Sequence, residues 1–296
     1  MIYTVTVNPS LDYIMYTDGI REGLVNRSKN EKIVTGGKGI NVSCVLSELG
    51  TESVILGFTA GFTGEYIRAD LTQKGLLHEL IDLGNGMSRI NVKLKGDKET
   101  EINGQGPEIS RESVDILIER VKKLCSEDFL VLSGSVPISA KNLYVKLAQI
   151  AKDNKVPFLV DATGEALTST LMYNPFMIKP NIHELSEIFK KKIETVDDVV
   201  LYSRKLIKQG AENVIVSMGD RGAVLVTQSE YFYKEARKGN AINTTGAGDS
   251  LVAGFIHSFH KDRDIKKAFM FGVETGTIAA FSEGLPQRVD LKKIRV

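Results

Sequence analysis

The stretch Asn243-Thr244-Thr245-Gly246-Ala247-Gly248-Asp249-Ser250 combines small residues with one carboxylate. A short β-like run, Asn240 to Ile242, enters it. Leu251, Val252, Phe255, Ile256 and Phe259 follow at helical spacing. The pattern predicts small residues at the handover from strand to helix. Free backbone N–H groups at a helix N-terminus, with the helix dipole behind them, bind anions. Gly246 and Gly248 let that backbone approach an oxyanion closely, and Ala247 sits between them. A carboxylate at Asp249 repels a bound phosphate, so its alternative uses are a helix cap or a proton acceptor. As acceptor for an attacking hydroxyl, it places base and anion hole in one site.

A second glycine turn, Gly36-Gly37-Lys38-Gly39-Ile40-Asn41, opens a second helix marked by Val42, Val45, Leu46 and Leu49. Lys38 and Asn41 can reach a polar ligand there; a tight turn with a solvated lysine is the alternative. No Ser or Thr follows the lysine, so this is not a Walker A loop. Lys179-Pro180-Asn181-Ile182-His183-Glu184 sets an amide and a carboxylate one helical turn apart. Such oxygen ligands suit Mg²⁺, often through water. They also suit an N-terminal capping pair, and both can hold. Glu187 stands where a zinc-protease helix needs its second histidine. The third glycine of a G-x-G-x-x-G is missing after Gly248, which argues against a nicotinamide enzyme.

These residues need a frame. Runs at Ile2–Val7, Ser53–Phe58, Phe129–Leu132, Pro157–Val160, Phe176–Lys179, Val214–Val216 and Ala223–Thr227 read as strands. Helical runs alternate with most of them. Glu65–Gly75 follows a turn at Gly61–Gly64, and Ser110–Cys125, Ala140–Asp153, Glu184–Phe189, Val196–Gln209 and a last helix through Ala268 to Phe281 are the others. The alternation predicts a mostly parallel sheet with helices on both faces. Asp12, Ser135, Asp161, Asn181, Ser217 and Asp249 then gather along its carboxyl edge, where such sheets bind ligands. Short strands fill Tyr13–Val34. Ser88–Lys95 alternates strictly and turns at Gly96-Asp97 into Glu99–Asn103, a hairpin. Together they predict a small separate sheet able to cover a cleft, with Arg89 and Asn103-Gly104-Gln105-Gly106 as substrate contacts. A solvated strand charge is the alternative for Arg89.

Composition narrows the partners. The 296 residues are 42% hydrophobic with net charge +1, which points to neither nucleic acid nor a membrane surface. The two cysteines, Cys44 and Cys125, fit no metal or redox spacing and suit a reduced, cytoplasmic protein. The four histidines form no sequence cluster. The N-terminus runs straight into a strand without a basic leader, which argues against a signal peptide.

Taken together, Gly36–Asn41, Lys179–Glu184 and Asn243–Asp249 resemble the PfkB family of sugar kinases related to ribokinase. The resemblance runs through essentially the whole chain and implies a single α/β domain, 1–296, of ribokinase-like fold. Its β lid would come from about 12–34 and 87–106. Thr4–Tyr13, Arg89–Leu94 and Ile102–Pro107 are most similar to the branch that phosphorylates fructose 1-phosphate at its 6-hydroxyl. Kinases of tagatose 6-phosphate are the alternative branch. By this resemblance Asp249 is the base and Gly246, Ala247 and Gly248 form the anion hole. Asp12, Arg27, Gly37, Lys38, Asn41, Arg89 and Ser135 hold the sugar phosphate. Lys179, Asn181, Ser217, Gly219, Asp220, Gly222 and Gly248 line the ATP site, and Asn181 and Glu184 position Mg²⁺ through water. A lid with an apolar back face further suggests a homodimer.

Overall fold

The computed structural model describes residues 1–96, 98–239, 241–292 and 294. Among the described residues thirteen strands form two sheets. The strands are β1 (Ile2–Thr6), β2 (Ser10–Tyr16), β3 (Asn30–Gly36), β4 (Ser53–Thr59), β5 (Leu77–Asp82), β6 (Arg89–Lys95) and β7 (Thr100–Asn103). They continue with β8 (Phe129–Ser133), β9 (Phe158–Asp161), β10 (Met177–Ile178), β11 (Val214–Ser217), β12 (Ala223–Val226) and β13 (Tyr231–Lys234). The large sheet runs β13-β12-β11-β10-β9-β8-β1-β4-β5. It is parallel from β11 to β5, with β12 and β13 antiparallel at one edge.

Side chains alternate across each strand, so the core divides into layers. Leu130 and Leu132 of β8 pack with helices Arg111–Val121, Leu143–Asp153, Ile182–Phe189 and Val196–Lys208. Phe129 and Val131 of the same strand pack with helices Lys38–Glu48, Ala247–Asp262 and Ile265–Ala280. A smaller cluster joins Ile40 and Ile55 to Ile67 and Leu71 of the Gly61–Gln73 helix. This is the expected mostly parallel sheet with helices on both faces.

The small sheet runs β3-β2-β6-β7, with β2 and β6 parallel and the other pairs antiparallel. Its register places Ile33, Tyr13, Val92 and Ile102 in one row on one face. The opposite face carries Asp12, Asn91 and Lys93.

Several local expectations change. The β-like run before Asn243 is not a strand at Ala241 and Ile242; instead, the N–H groups of Ile242 and Asn243 donate to Ala280 O at 2.8 and 3.2 Å. Asn240 lies outside the described residues, as does Asp97 of the expected Gly96-Asp97 turn. The helix expected from Glu65 already starts at Gly61, because Ala60 N donates to Ser88 Oγ at 3.0 Å and fixes the entry. Strands β5 and β13 have no counterpart in the sequence reading; their exposed positions leave too little apolar alternation to mark them.

Candidate active site

Parallel register lines up the strand ends. Val5 pairs with Leu132, which sets Thr6 beside Ser133. Ser133 pairs with Asp161, and Ile178 pairs with Val160, which sets Lys179 beside Asp161. A bridge between Asn181 and Ser217 extends the row. The carboxyl edge therefore holds Asp161, Asn181 and Ser217 as expected. Asp12 and Asp249 arrive differently: Asp12 lies within β2 of the small sheet, and Asp249 on the first turn of the Ala247–Asp262 helix.

That helix opens on Gly246, whose φ of 83° is left-handed, and its N-cap has no side-chain bond. Asp249 is buried, so it is not a solvated cap. Its Oδ2 accepts from Asn41 Nδ2 at 2.8 Å, across from the Lys38–Glu48 helix. Burial pushes its carboxyl up to about 6, and the nearby Asp161 charge adds to the rise. Lys38, Lys179 and the Asn41 bond oppose it. The result is a carboxylate ionised at neutral pH yet basic enough to take a proton, as a general base requires. The expected amide donors are only partly free. Ala247 N donates to Thr244 O at 3.2 Å, whereas nothing among the described residues accepts from the N–H of Gly246, Gly248 or Asp249. Three open amides backed by a helix dipole are an arrangement able to bind an anion.

A cavity of ≈ 210 Å³ is lined by Gly37, Lys38, Arg89, Gly134, Ser135 and Thr163 among others; Lys38 links it to Asp249, on whose carboxyl its charge acts. Gly37 has φ 135° and lies over Thr6; a Cβ there would stand 2.6 Å from Thr6 Cγ2. Only glycine therefore lets the Lys38–Glu48 helix start this low over the strand ends. Lys38 Nζ donates to Asp161 Oδ1 at 2.9 Å, and the Asp161 charge outweighs burial to push its ammonium pKa up. Arg89 Nε donates to Asn8 O at 3.1 Å, so this guanidinium is anchored rather than loose on a strand. Asp12 Oδ1 accepts from Ser10 Oγ and Asn91 Nδ2, each at 2.9 Å, and its Oδ2 pairs with Lys93 Nζ at 2.9 Å. Strict alternation along Ser88–Lys95 puts Lys93 on the polar face with Arg89 and Asn91; its pairing with Asp12 comes from the β2–β6 register. Arg27 is exposed in the connection between β2 and β3, with no contact among the described residues that ties it to the cavity.

The other flank carries the nucleotide candidates. Asp161 Oδ2 lies 3.3 Å from Lys179 Nζ, and a Cβ on Gly248 would meet that same Nζ at 3.3 Å. Lys179 thus reaches from the strand end to the anion turn. Ser217 N donates to Pro180 O at 3.2 Å. The turn after Ser217 closes through Met218 N to Gly222 O at 2.8 Å and leaves Gly219 and Asp220 exposed.

Asn181 and Glu184 form a capping box. Asn181 Oδ1 accepts from the N–H of His183 and Glu184 at 2.9 Å each, and Glu184 Oε2 accepts from Asn181 N at 2.8 Å. Both lone pairs of the Asn181 oxygen are spent, which fits water-mediated rather than direct metal contact. Glu184 keeps its second oxygen for that. Among the described residues no group of three His, Cys, Asp or Glu could hold a metal. Asn181 and Glu184 alone offer few free oxygens, as suits an ion that keeps most of its water shell.

Fold and site together define a ribokinase-like α/β protein. The chain belongs to the pfkB family of carbohydrate kinases, whose model matches residues 5–289. A relative named 1-phosphofructokinase from Bacillus subtilis (strain 168) is 45% identical over 286 residues, covering 96% of this chain and 94% of that protein. One named tagatose-6-phosphate kinase from Staphylococcus epidermidis (strain ATCC 35984) is 30% identical over 282 residues, covering 92% and 91%. The crystal structure of phosphofructokinase-2 from Escherichia coli in complex with fructose-6-phosphate superposes with TM-score 0.90 at 28% identity, covering 99% and 97%. The chain is thus a sugar kinase, a phosphotransferase to an alcohol acceptor with ATP as phosphate donor.

A pH dependence follows from Asp249. Its raised pKa keeps it protonated, and unable to accept a proton, below about 6. The expected result is a kcat/KM that falls tenfold per pH unit on the acid side, with its bend near that value. A rate profile from pH 4.5 to 8 measures it.

Proposed function

We propose that this kinase transfers the γ-phosphoryl group of ATP to the 6-hydroxyl of fructose 1-phosphate, giving fructose 1,6-bisphosphate and ADP. The carrying observation is that Lys38 belongs both to a cavity shared with Arg89 and Ser135 and to the charge cluster around the buried Asp249, whose turn has three open amides. The two cations suit an anionic sugar, and they leave little purpose for a site that binds a neutral nucleoside. The 45% identity to a protein named 1-phosphofructokinase supports the same acceptor. Tagatose 6-phosphate is the second reading, supported by the Staphylococcus epidermidis relative.

In the reaction Asp249 takes the proton from the sugar O6. That oxygen bonds to the γ-phosphorus as the bond from phosphorus to the β,γ-bridging oxygen breaks, and ADP leaves. Phosphoryl transfer of this kind rests on in-line positioning and on stabilising spread charge. The amides of Gly246, Gly248 and Asp249 face that charge, with Lys179 from the nucleotide flank. Gly37, Lys38, Asn41, Arg89 and Ser135, with Asp12 on the small sheet, seat the sugar phosphate; Arg27 reaches it when the small sheet closes as a lid. Ser217, Gly219, Asp220 and Gly222 line the ATP site. Asn181 and Glu184 would hold the water shell of a phosphate-bound Mg²⁺, which would supply charge neutralisation there. The chain works as one domain, with the small sheet excluding water from the γ-phosphate. We further place it in the cytoplasm with its charged substrates. A second copy covers the apolar face bearing Ile33 and Ile102, which are 47% and 61% exposed.

Two measurements test this reading. ADP release with fructose 1-phosphate, tagatose 6-phosphate and adenosine ranks the acceptors; fructose 1-phosphate should give the highest kcat/KM, and a faster rate with either other acceptor rejects the assignment. Arg89→Ala should raise the KM for the sugar phosphate roughly tenfold to hundredfold with a smaller change in kcat, the loss of a charge-assisted contact. An unchanged KM means that Arg89 does not touch the sugar phosphate.

A further inference from the structure

Asp161 has no role in the scheme above, yet it occupies the middle of the charge cluster. It ends β9 and is 0% exposed. Lys38, on the sugar flank, lies 2.9 Å from its Oδ1, and Lys179, on the nucleotide flank, lies 3.3 Å from its Oδ2. Two ammonium groups on flexible stems repel each other and do not converge on one point unaided. A buried carboxylate between them removes the repulsion and sets both positions.

We propose that Asp161 is a positioning residue for phosphoryl transfer, holding Lys38 and Lys179 together so that both meet the phosphoryl group moving between the two flanks. Its burial leaves it no direct access to substrate, so it acts through the lysines. The cluster is balanced: Lys38 and Lys179 against Asp161 and Asp249. The charged groups facing Asp249 are Lys38 from the Lys38–Glu48 helix, Asp161 from β9 and Lys179 from beyond β10; Asn41 adds a neutral hydrogen bond. Burial alone would push the Asp161 carboxyl up; the two ammonium groups outweigh it and hold it below the usual carboxylate range. It therefore stays anionic while Asp249 titrates.

The inference rests on the proposed assignment of the two flanks, and its test is arranged to fail separately. Asp161→Asn keeps the side-chain shape and removes the charge. Its kcat should fall roughly tenfold to hundredfold, the scale of a misplaced reacting group. Both KM values should hold or drop, because the site gains net positive charge. The acid limb of its kcat/KM profile should move to lower pH, since an anion facing Asp249 has gone and two cations remain. The limb shift reports the lost anion; the positioning role is read from the fall in kcat with KM held, a split that a residue merely supporting the fold would not give. Asp161→Glu retains the charge but displaces it; it should lose kcat with the limb unmoved, and it decides the matter alone if Asp161→Asn does not fold. A kcat close to wild type in the folded variants, or an unmoved limb in Asp161→Asn, overturns the proposal. The assays use whichever sugar phosphate the wild-type chain turns over fastest, so a wrong acceptor assignment leaves this test intact.

Discussion

Asp249→Ala should lower kcat by ~10²–10⁴, the usual contribution of a positioned general base. The site offers no obvious stand-in. Asp161 is the nearest other carboxylate in the cluster, but two lysines hold its charge and it is fully buried. Binding should survive. Asp249 is an anion near where anionic substrates sit, so removing it relieves repulsion. The KM values for ATP and sugar phosphate should therefore stay level or fall. The variant should also fold, because the Asn41 amide that loses its partner is only partly buried and can bond to water instead. Steady-state kinetics with each substrate varied at saturating levels of the other separate these quantities. A raised KM with preserved kcat would make Asp249 a binding residue instead.

Gly246→Ala should have the next largest effect, roughly 10²–10³ in kcat, the scale of losing one anion-hole donor. Gly246 sits at φ 83°, and a Cβ there would lie 2.7 Å from Leu285 Cδ2. The left-handed conformation costs a non-glycine residue ~1–2 kcal/mol. The chain relieves that strain by rotating the peptides around Gly246, which re-aims its N–H. The base, Lys38 and Arg89 stay in place, so sugar-phosphate KM should change little. Thr244→Val is the matched control: among the described residues only the backbone oxygen of Thr244 takes part in the turn, through Ala247 N, so its kinetics should stay near wild type. Equal losses in both variants would mean that the turn responds to any change and that the amides have no special part.

Features that depend on a few neighbouring residues could be read from the sequence. The glycine turns before Lys38 and Asp249 each open a helix, the Asn181–Glu184 box forms, and the strand from Arg89 folds back antiparallel on Thr100–Asn103. Each is a short-range pattern of spacing or capping. The alternation of buried strands with amphipathic helices likewise announced the parallel sheet.

What escaped depends on register between distant strands. Asp161 is a lone aspartate at a strand end until β8, β9 and β10 align and bring Lys38 and Lys179 onto it. Lys93 looked like one more polar-face lysine until β2 paired with β6 and set it on Asp12. The approach to the anion turn misled for a related reason. Its apolar residues suggested a strand, but its backbone bonds to the end of the Ile265–Ala280 helix, a partner far along the chain.

In the proposed reaction a sugar hydroxyl loses its proton to Asp249 as phosphate arrives on it. The most direct measurement follows the ³¹P spectrum of fructose 1-phosphate and MgATP with the wild-type chain and with Asp249→Asn. The wild type should produce ADP and a new phosphomonoester at C6 in equal amounts, and Asp249→Asn should produce almost none of either. Bisphosphate formation by Asp249→Asn at the wild-type rate would remove Asp249 as the base, and wild-type ADP release without bisphosphate would remove the sugar hydroxyl as acceptor.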